Sequence, residues 1–262
     1  MNKHNYKPHI MTYLEKNMRY DGRKKDELRE IVIEKAVTST AEGSARVKIG
    51  DTEVIAGVKM ELGTPYPDTP DEGSIMVGAE FLPIASADFE VGPPKEDAIE
   101  LARVVDRGVR ESGSIDLKKL CIKEGSKMWI VSVDVCTIND AGNLLDASGL
   151  AAIAAIEDAV FPEIMELEDD RLEVDYKHKS KDKLPVSKRP IPVTVFKIGD
   201  HFIVDPTKEE EAKAECRLTI TSTEDGKLCA LQKGGEGVLS TDDIVGMLDL
   251  AVEKANEMRG KL

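Results

Sequence analysis

The sequence has few of the residues that bind metals or form disulfides. Its four cysteines, Cys121, Cys136, Cys216 and Cys229, lie singly and far apart, and its four histidines are equally scattered. It contains neither a Cys-x-x-Cys pair nor two histidines at the spacing of a helical metal site, so the pattern indicates no zinc site. We therefore predict no metal and no cofactor, and we expect the cysteines to be small buried side chains.

Long apolar runs and an excess of positive charge are absent as well. No apolar run is long enough to cross a bilayer, and the first residues lack the apolar segment of a secretory signal, so we expect a cytoplasmic protein without membrane contact. The 36 basic residues are outnumbered by 50 acidic ones, which gives a net charge of -14. Because phosphate binding depends on Lys and Arg, nucleic acid cannot be bound over the whole surface, and any RNA contact must be local.

Strand patterns dominate much of the chain. The segment from Ile31 to Met60 predicts successive antiparallel strands, and SIMVGAEFLPIAS, from Ser74 to Ser86, predicts a further strand of the same meander. SKMWIVSVDVCTIND has few charges and predicts a central strand that is buried on both faces. Hairpins with turns at Gly199-Asp200 and Asp225-Gly226 follow in the second half.

Helical periodicity occurs in four other places. Residues 8–18 predict a short amphipathic helix, KEDAIELARVVDRGVRES has a broad apolar stripe, and LLDASGLAAIAAIEDAV is rich in the Ala that close packing requires. Ser240 is placed to cap a closing helix. The order of strands and helices predicts an α+β fold in which sheets and helices form two packed layers.

Charge is densest between Glu166 and Lys183, where twelve of eighteen residues are Asp, Glu, Lys or Arg. That density opposes burial and predicts an exposed loop or connector. We expect an N-terminal half at residues 1–165, a charged connector at 166–186 and a smaller C-terminal half at 187–262.

Several segments resemble the RNase PH family of phosphorolytic ribonucleases, from about Tyr20 to Glu257: YDGRKKDELREI, SVDVCTINDAGNLLDASGLAAIAAIEDA and MLDLAVEKA. A longer one, GTPYPDTPDEGSIMVGAEFLPIASADFEVGPPKEDAIELARVVDRGVRES, is similar to the non-catalytic RNase PH-like subunits of the archaeal exosome. The resemblance implies the RNase PH fold, with a ribosomal protein S5 domain 2-like core and a smaller C-terminal α+β half. It also implies a ring in which three such subunits alternate with three catalytic ones around a channel for single-stranded RNA, with RNA-binding cap subunits as further partners.

The resemblance also implies that the active-site positions have degenerated. Catalytic relatives bind phosphate with a Gly-Thr-Arg segment before a helix, where this chain has Asn143 and Leu144, and Asp146 at the helix start would repel phosphate while it could cap the helix. The relatives also carry two aspartates six residues apart on a hairpin, where this chain has Gly199 and Asp205. We therefore predict no catalytic residue in this chain.

Three arginines, Arg103, Arg107 and Arg110, recur at i, i+4 and i+7, so that all can face one direction from a helix. The resemblance implies that this helix offers arginines to the RNA backbone, and the alternative is surface ion pairs with nearby acidic residues. We predict a non-catalytic subunit that structures the active site of its catalytic partner and contributes to RNA binding. Two alternatives stay open: an active phosphate-dependent 3′-to-5′ exoribonuclease, and an assembly protein that does not contact RNA. The strand from Ser74 to Ser86 is the candidate contact with a neighbouring subunit.

Overall fold

The computed structural model describes residues 7–166 and 172–262, which form three sheets and five α-helices within that part of the chain. A short 3-10 helix covers Leu117–Leu120. The elements are α1 (Lys7–Leu14), β1 (Ile31–Lys35), β2 (Gly43–Ile49), β3 (Thr52–Gly63), β4 (Ser74–Phe81), α2 (Glu96–Ser112), β5 (Cys121–Lys123), β6 (Lys127–Asn139), α3 (Leu144–Asp158), β7 (Val160–Glu166), β8 (Leu172–Lys183), β9 (Ile191–Ile198), β10 (His201–Val204), α4 (Lys208–Glu211), β11 (Cys216–Ser222), β12 (Leu228–Gly235) and α5 (Thr241–Arg259).

The first sheet has the strand order β1-β2-β3-β6-β4, and β5 also pairs with β6. The first three strands are antiparallel, as predicted, but the expected meander is wrong at β4. This strand pairs in parallel with β6, with Val77 opposite Val133, and β6 separates it from β3. A parallel pair needs a long crossover connection, which here contains α2. The result is an α+β sheet in which β3 is in the middle, β4 lies at the edge, and β6 is an internal strand beside β4.

Strand β6, predicted to be central, is internal to the sheet but is buried fully on one face only. Val131, Val133 and Val135 are at most 1% exposed, whereas Asp134 on the other face is exposed, so the prediction of burial on both faces is wrong. The cysteine prediction also holds only in part. Cys216 is buried, but the other three cysteines are half-buried.

The second sheet has the order β10-β9-β11-β12 and is antiparallel throughout. Both predicted hairpins are present, and α5 begins with a capping box between Ser240 and Asp243, as its sequence predicts. The Ala-rich helix α3 packs between the two sheets. Its Gly149 lies so close to the second sheet that a Cβ atom there would be 2.1 Å from the ring of Pro192. The two halves therefore share one hydrophobic core around α3.

Three predicted element boundaries need correction. Strand β4 ends at Phe81, whereas the sequence predicts a strand up to Ser86. Part of the expected loop or connector is strand, because β7 and β8 form an antiparallel pair with Ile164 opposite Val174, and its charged side chains are exposed without preventing backbone pairing. Residues 167–171 lie outside the described part, and the boundaries of the two halves stay a prediction. Helix α1 ends at Leu14 rather than at residue 18, since the chain turns at Asn17 with φ 53°.

Candidate functional site

The turn between β6 and α3 is held by hydrogen bonds to its own backbone. Asp140 Oδ1 accepts from the Gly142 N–H at 3.1 Å, and the Thr52 hydroxyl donates to the Gly142 carbonyl at 2.6 Å. Gly142 has φ 92°, and a Cβ atom there would lie 2.5 Å from the Pro206 carbonyl oxygen. Only glycine fits such a position. The turn is thereby pressed against the segment that follows β10.

This contact brings Asp205 to the start of α3, where Asn143 Nδ2 donates to Asp205 Oδ1 at 3.0 Å. Asp205 is fully buried, and its carboxylate also accepts from Arg29 Nη2 at 2.6 Å, from the Arg29 backbone N–H at 2.7 Å and from Arg23 Nη1 at 3.0 Å. Burial acts to raise the pKa of Asp205, but the hydrogen bonds and charge of Arg29, with the charge of Arg23, hold that pKa below its usual value. Asp205 is therefore ionised and saturated by its own chain.

A second buried ion pair lies beside Asp205. Arg19 is 2% exposed, and its guanidinium binds the Glu210 carboxylate through Nε at 2.9 Å and through Nη2. It also donates to the backbone carbonyls of Val204 at 3.0 Å and Asp205 at 2.8 Å. We call the set Arg19, Arg23, Arg29, Asp205 and Glu210 the buried arginine cluster. It fastens the segment before β1 onto the C-terminal half.

A cation does lie beside the turn, but carboxylates already hold it. Lys208 Nζ is 2.8 Å from Asp140 and 3.2 Å from Asp88. Glu211 receives a hydrogen bond from the Asn143 backbone, and burial together with the charge of Asp140 raises the pKa of Glu211. An inorganic phosphate at this helix start would thus meet acidic neighbours in place of a free guanidinium.

The other two positions that the resemblance implies to be degenerate, Leu144 and Gly199, have separate surroundings. Leu144 is the first residue of α3 and packs against the main hydrophobic core. Gly199 lies in the β9–β10 turn with φ 59°, and a Cβ atom there would be 2.4 Å from Met11 Cε. Because β10 separates Gly199 from Asp205, these two positions do not meet.

Asp146 does not cap α3, contrary to expectation, because the N-cap residue is Asn143 and Asp146 points into the core. Its Oδ1 atom accepts from the Thr194 hydroxyl at 2.7 Å, while Oδ2 has no hydrogen-bond partner within the described part of the chain. Burial raises the pKa of Asp146 to about 7, against hydrogen bonds from Thr194 and Asn143 that lower it, and the charge of Asp205 raises it further.

The predicted arginines all lie on the exposed face of α2. The opposite face of the helix buries Leu101, Val105 and Val109. The structure thus confirms the helix and its two faces. It does not test whether Arg103, Arg107 and Arg110 bind RNA.

The three arginines differ in their internal contacts. Arg103 makes no hydrogen bond or ion pair with any residue in the described ranges. Arg107 has a long hydrogen bond of 3.4 Å to Gln232 Oε1. Arg110 is bound by Asp106 through two bonds of 2.7 and 3.1 Å and donates to the Ile75 carbonyl at 2.6 Å, and the Asp106 hydrogen bond raises the pKa of Arg110. Arg103 and Arg107 are the more available cations.

Sequence reasoning missed the buried arginine cluster and Lys208. The segment YDGRKKDELREI contains Arg23 and Arg29, but nothing in its pattern distinguishes a buried guanidinium from a solvated one. The lone Asp205 and the acidic Glu210 were the available signals, because buried carboxylates require cationic partners.

Two models of known protein families match this chain. A family model described as "3' exoribonuclease family, domain 1" matches residues 27–162, and "3' exoribonuclease family, domain 2" matches residues 188–254. The chain belongs to this family, the RNase PH family, and has the RNase PH fold.

Individual relatives are similar to this chain over nearly its whole length. The exosome complex component Rrp42 of Methanocella arvoryzae is 50% identical over 245 residues, which cover 93% of this chain and 90% of that protein. The protein of the same description from Archaeoglobus fulgidus is 47% identical over 97% of this chain and 94% of its own length.

Solved structures of similar chains have the same fold. A chain of the "archaeoglobus fulgidus exosome with RNA bound to the active site" superposes with a TM-score of 0.88 at 45% identity, and the match covers 97% of this chain and 96% of that one. A chain of the "Archaeal exosome core" gives a TM-score of 0.81 at 43% identity, with 97% and 95% covered.

Residues 7–166 and 172–262 contain no candidate for a membrane-spanning helix or for a metal site of several acidic, His or Cys ligands. None of the helices there is both long and apolar enough to span a bilayer. No group of three or more His, Cys, Asp or Glu side chains in those ranges is arranged to hold a metal ion.

Proposed function

We propose that this chain is a non-catalytic component of an archaeal exosome, a 3′-to-5′ phosphorolytic RNA-degrading complex. It alternates with a catalytic RNase PH-like partner in a hexameric ring, a trimer of heterodimers, and the ring carries RNA-binding cap subunits. The chain structures the partner's active site and contributes to the binding of single-stranded RNA. The proposal includes a cytoplasmic location and the division into 1–165, 166–186 and 187–262. It is supported by relatives described as exosome components that match nearly the whole chain.

The state of Asp205 carries the non-catalytic part of the proposal. A carboxylate that assists a leaving group or holds a metal must be reachable by the substrate. Asp205 has no exposed surface, and Arg23, Arg29 and Asn143 occupy its oxygen atoms. The nearby Lys208 is likewise held by Asp140 and Asp88.

The RNA-binding part depends on the exposed face of α2. Arg103 and Arg107 are solvent-exposed and have at most one weak internal contact, so their charge is free to meet phosphates. Arg110 is the third predicted contact, although its bonds to Asp106 must be shared or broken first. The exposed Met76 on the edge strand β4 and Ile84 just beyond it suit contact with a neighbouring subunit.

Phosphorolysis by purified components tests the non-catalytic role. The isolated chain, incubated with single-stranded RNA and inorganic phosphate, is expected to release no nucleoside diphosphates, while the chain assembled with its catalytic partner releases them. Release by the isolated chain that disappears in the Asp205→Asn variant would establish the alternative of an active exoribonuclease.

Charge reversal tests the RNA role in the same assembly. The pair Arg103→Glu and Arg107→Glu is expected to weaken RNA retention and to lower the salt dependence of binding by about 1.4, since each phosphate contact to a single strand contributes about 0.7. The exposed pair Lys16→Glu and Lys227→Glu makes the same change in net charge elsewhere and serves as the control. Equal binding by the two variants would favour an assembly protein that does not contact RNA.

A further inference from the structure

Positive charge is concentrated in one segment of this acidic chain. Residues 177–189 read KHKSKDKLPVSKR and contain six basic side chains and one acidic one, although the net charge of the protein is -14. The segment covers the second part of β8 and the link to β9, and we call it the basic strip. A local reversal of this kind gives a positive potential on a surface that elsewhere repels anions.

Three lysines of the basic strip have no internal partner. Lys177, Lys181 and Lys183 are exposed, and none of their ammonium groups makes a hydrogen bond or ion pair with a residue in the described ranges. Some other exposed lysines are neutralised, as Lys118 is by Asp71 at 3.0 Å and Lys227 by Asp225 at 2.9 Å, whereas isolated ones such as Lys16 have no partner in the described ranges. The strip therefore presents charge that the fold does not use.

The strip leads into an open cleft that has a buried cation in its wall. Arg259 is 9% exposed, and it donates to the carbonyls of Arg189 at 2.9 Å and Ser222 at 2.7 Å rather than to a carboxylate. Its hydrogen-bond acceptors are neutral, and the nearby Glu224 balances its charge without a direct bond. The cleft is lined by Lys35, Lys183, Lys188, Arg189 and Arg259 and by the acidic residues Glu157, Asp158 and Glu224.

The strip also adjoins the arginine-bearing helix. Lys188 Nζ donates to the carbonyl of Ser112, the last residue of α2, at 3.0 Å, and Val186 forms a bridge with Ile115 just beyond that helix. The helix advances about 10 Å from Arg103 to Arg110 toward this contact, so Arg110 is the arginine nearest to the strip along α2.

We propose that the basic strip binds the phosphate backbone of single-stranded RNA and extends the RNA contact beyond the arginines of α2. This inference rests on the proposed function, which brings RNA to this protein. The chemistry favours RNA over an acidic protein, because Lys is depleted from the centres of protein interfaces and the strip lacks large apolar anchors. Phosphates require only charge at the right positions, and flexible lysines supply it.

The test neutralises only the lysines without internal partners. The assembled complex carries Lys177→Gln, Lys181→Gln and Lys183→Gln together, and binding of a labelled 30-nucleotide poly(U) is measured at several salt concentrations. The matched control, Lys16→Gln, Lys24→Gln and Lys123→Gln, removes the same charge from exposed lysines elsewhere that also have no ion pair in the described ranges. We expect the strip variant alone to lower the salt slope, by about 2 if all three lysines contact phosphates.

A second measurement locates the contact. Photocrosslinking of 4-thiouridine RNA to the wild-type complex is expected to label peptides that contain the strip, with the exposed ring of Tyr176 as one acceptor. A salt slope equal to that of the control variant, without crosslinks in the strip, overturns the inference, as does preferential binding of the strip to acidic polypeptides. If Arg103→Glu and Arg107→Glu still weaken binding in that case, the proposed function survives while the strip proposal fails.

Discussion

The buried arginine cluster and the exposed face of α2 use the same side chain in opposite ways. In the cluster, Arg19 and Arg29 are bound by carboxylates and backbone carbonyls and are largely removed from solvent. On α2, Arg103 has no internal partner within the described chain, and Arg107 has only a long contact. The guanidinium therefore stabilises the fold in one region and remains available to a ligand in the other.

The difference shows what a buried carboxylate requires. Burying a carboxylate without a cation is costly, so Asp205 needs cationic partners within the fold. Here Asp205 is neutralised by Arg23 and Arg29, and these contacts join the N-terminal segment to the second half. Charge that is used in this way contributes to stability and is not available to a ligand.

The largest effect is expected from breaking the cluster at Asp205. The Asp205→Asn variant keeps the shape of the side chain, and Asn tolerates the φ of 47° at this position. It leaves Arg29 without its anion and Arg23 with Asp21 as its remaining partner. We expect this to lower the free energy of unfolding by about 3 kcal/mol, the lower end of the range for broken buried pairs. Urea unfolding of the purified chain measures this change in the free energy of unfolding.

The matched control is Asp249→Asn, an exposed position on α5, which should change the free energy of unfolding by less than about 0.5 kcal/mol. If both variants were equally stable, the cluster would not hold the two halves together, and the contrast with α2 would lose its energetic basis.

A smaller effect is expected on the pH dependence of stability, to which Asp146 and Asp205 contribute in opposite senses. The pKa of Asp146 is raised from 3.8 to about 7, so the folded protein keeps a proton there that the unfolded chain releases. Between these values the free energy of unfolding falls as pH rises, by up to about 1.4 kcal/mol per pH unit. Asp205 acts in the opposite sense, because its pKa is lowered and its stabilisation is lost only as the pH falls below the usual range of an aspartate.

The Asp146→Asn variant isolates the contribution of Asp146, since the amide resembles the protonated acid. Unfolding at pH 5 and pH 7 should show that the wild-type chain loses about 2 kcal/mol more than this variant over the interval. Parallel pH dependences in the two proteins would mean that Asp146 is ionised throughout and that its burial is relieved in another way.

The sequence predicts most of the helices and strands. It also predicts the exposed arginine face of α2, but not the buried arginine cluster. The apolar stripe of α2 defines its exposed arginines, because helical periodicity is a local property. The position of β4 is not local, since the pairing partner of a strand depends on the path of the crossover, and the meander was therefore the wrong choice. The partners of Asp205 are also distant in sequence, with Arg29 176 residues away, and no short-range pattern connects them.

The smallest effects are expected from single substitutions of the α2 arginines. Their sizes should follow the number of internal contacts that each arginine makes. Arg110→Gln should lower the free energy of unfolding by about 0.5 kcal/mol, the worth of a partly exposed i, i+4 ion pair with Asp106, while Arg103→Gln should leave it unchanged. For RNA binding by the assembled complex the order should reverse, because Arg103 gives up no internal bond when it meets a phosphate and Arg110 must release one. Denaturation and RNA titration of both variants measure the two orders. If substitution of the same arginine had the larger effect on both stability and RNA binding, internal hydrogen bonds and ion pairs would not decide which cations of this protein are available to RNA.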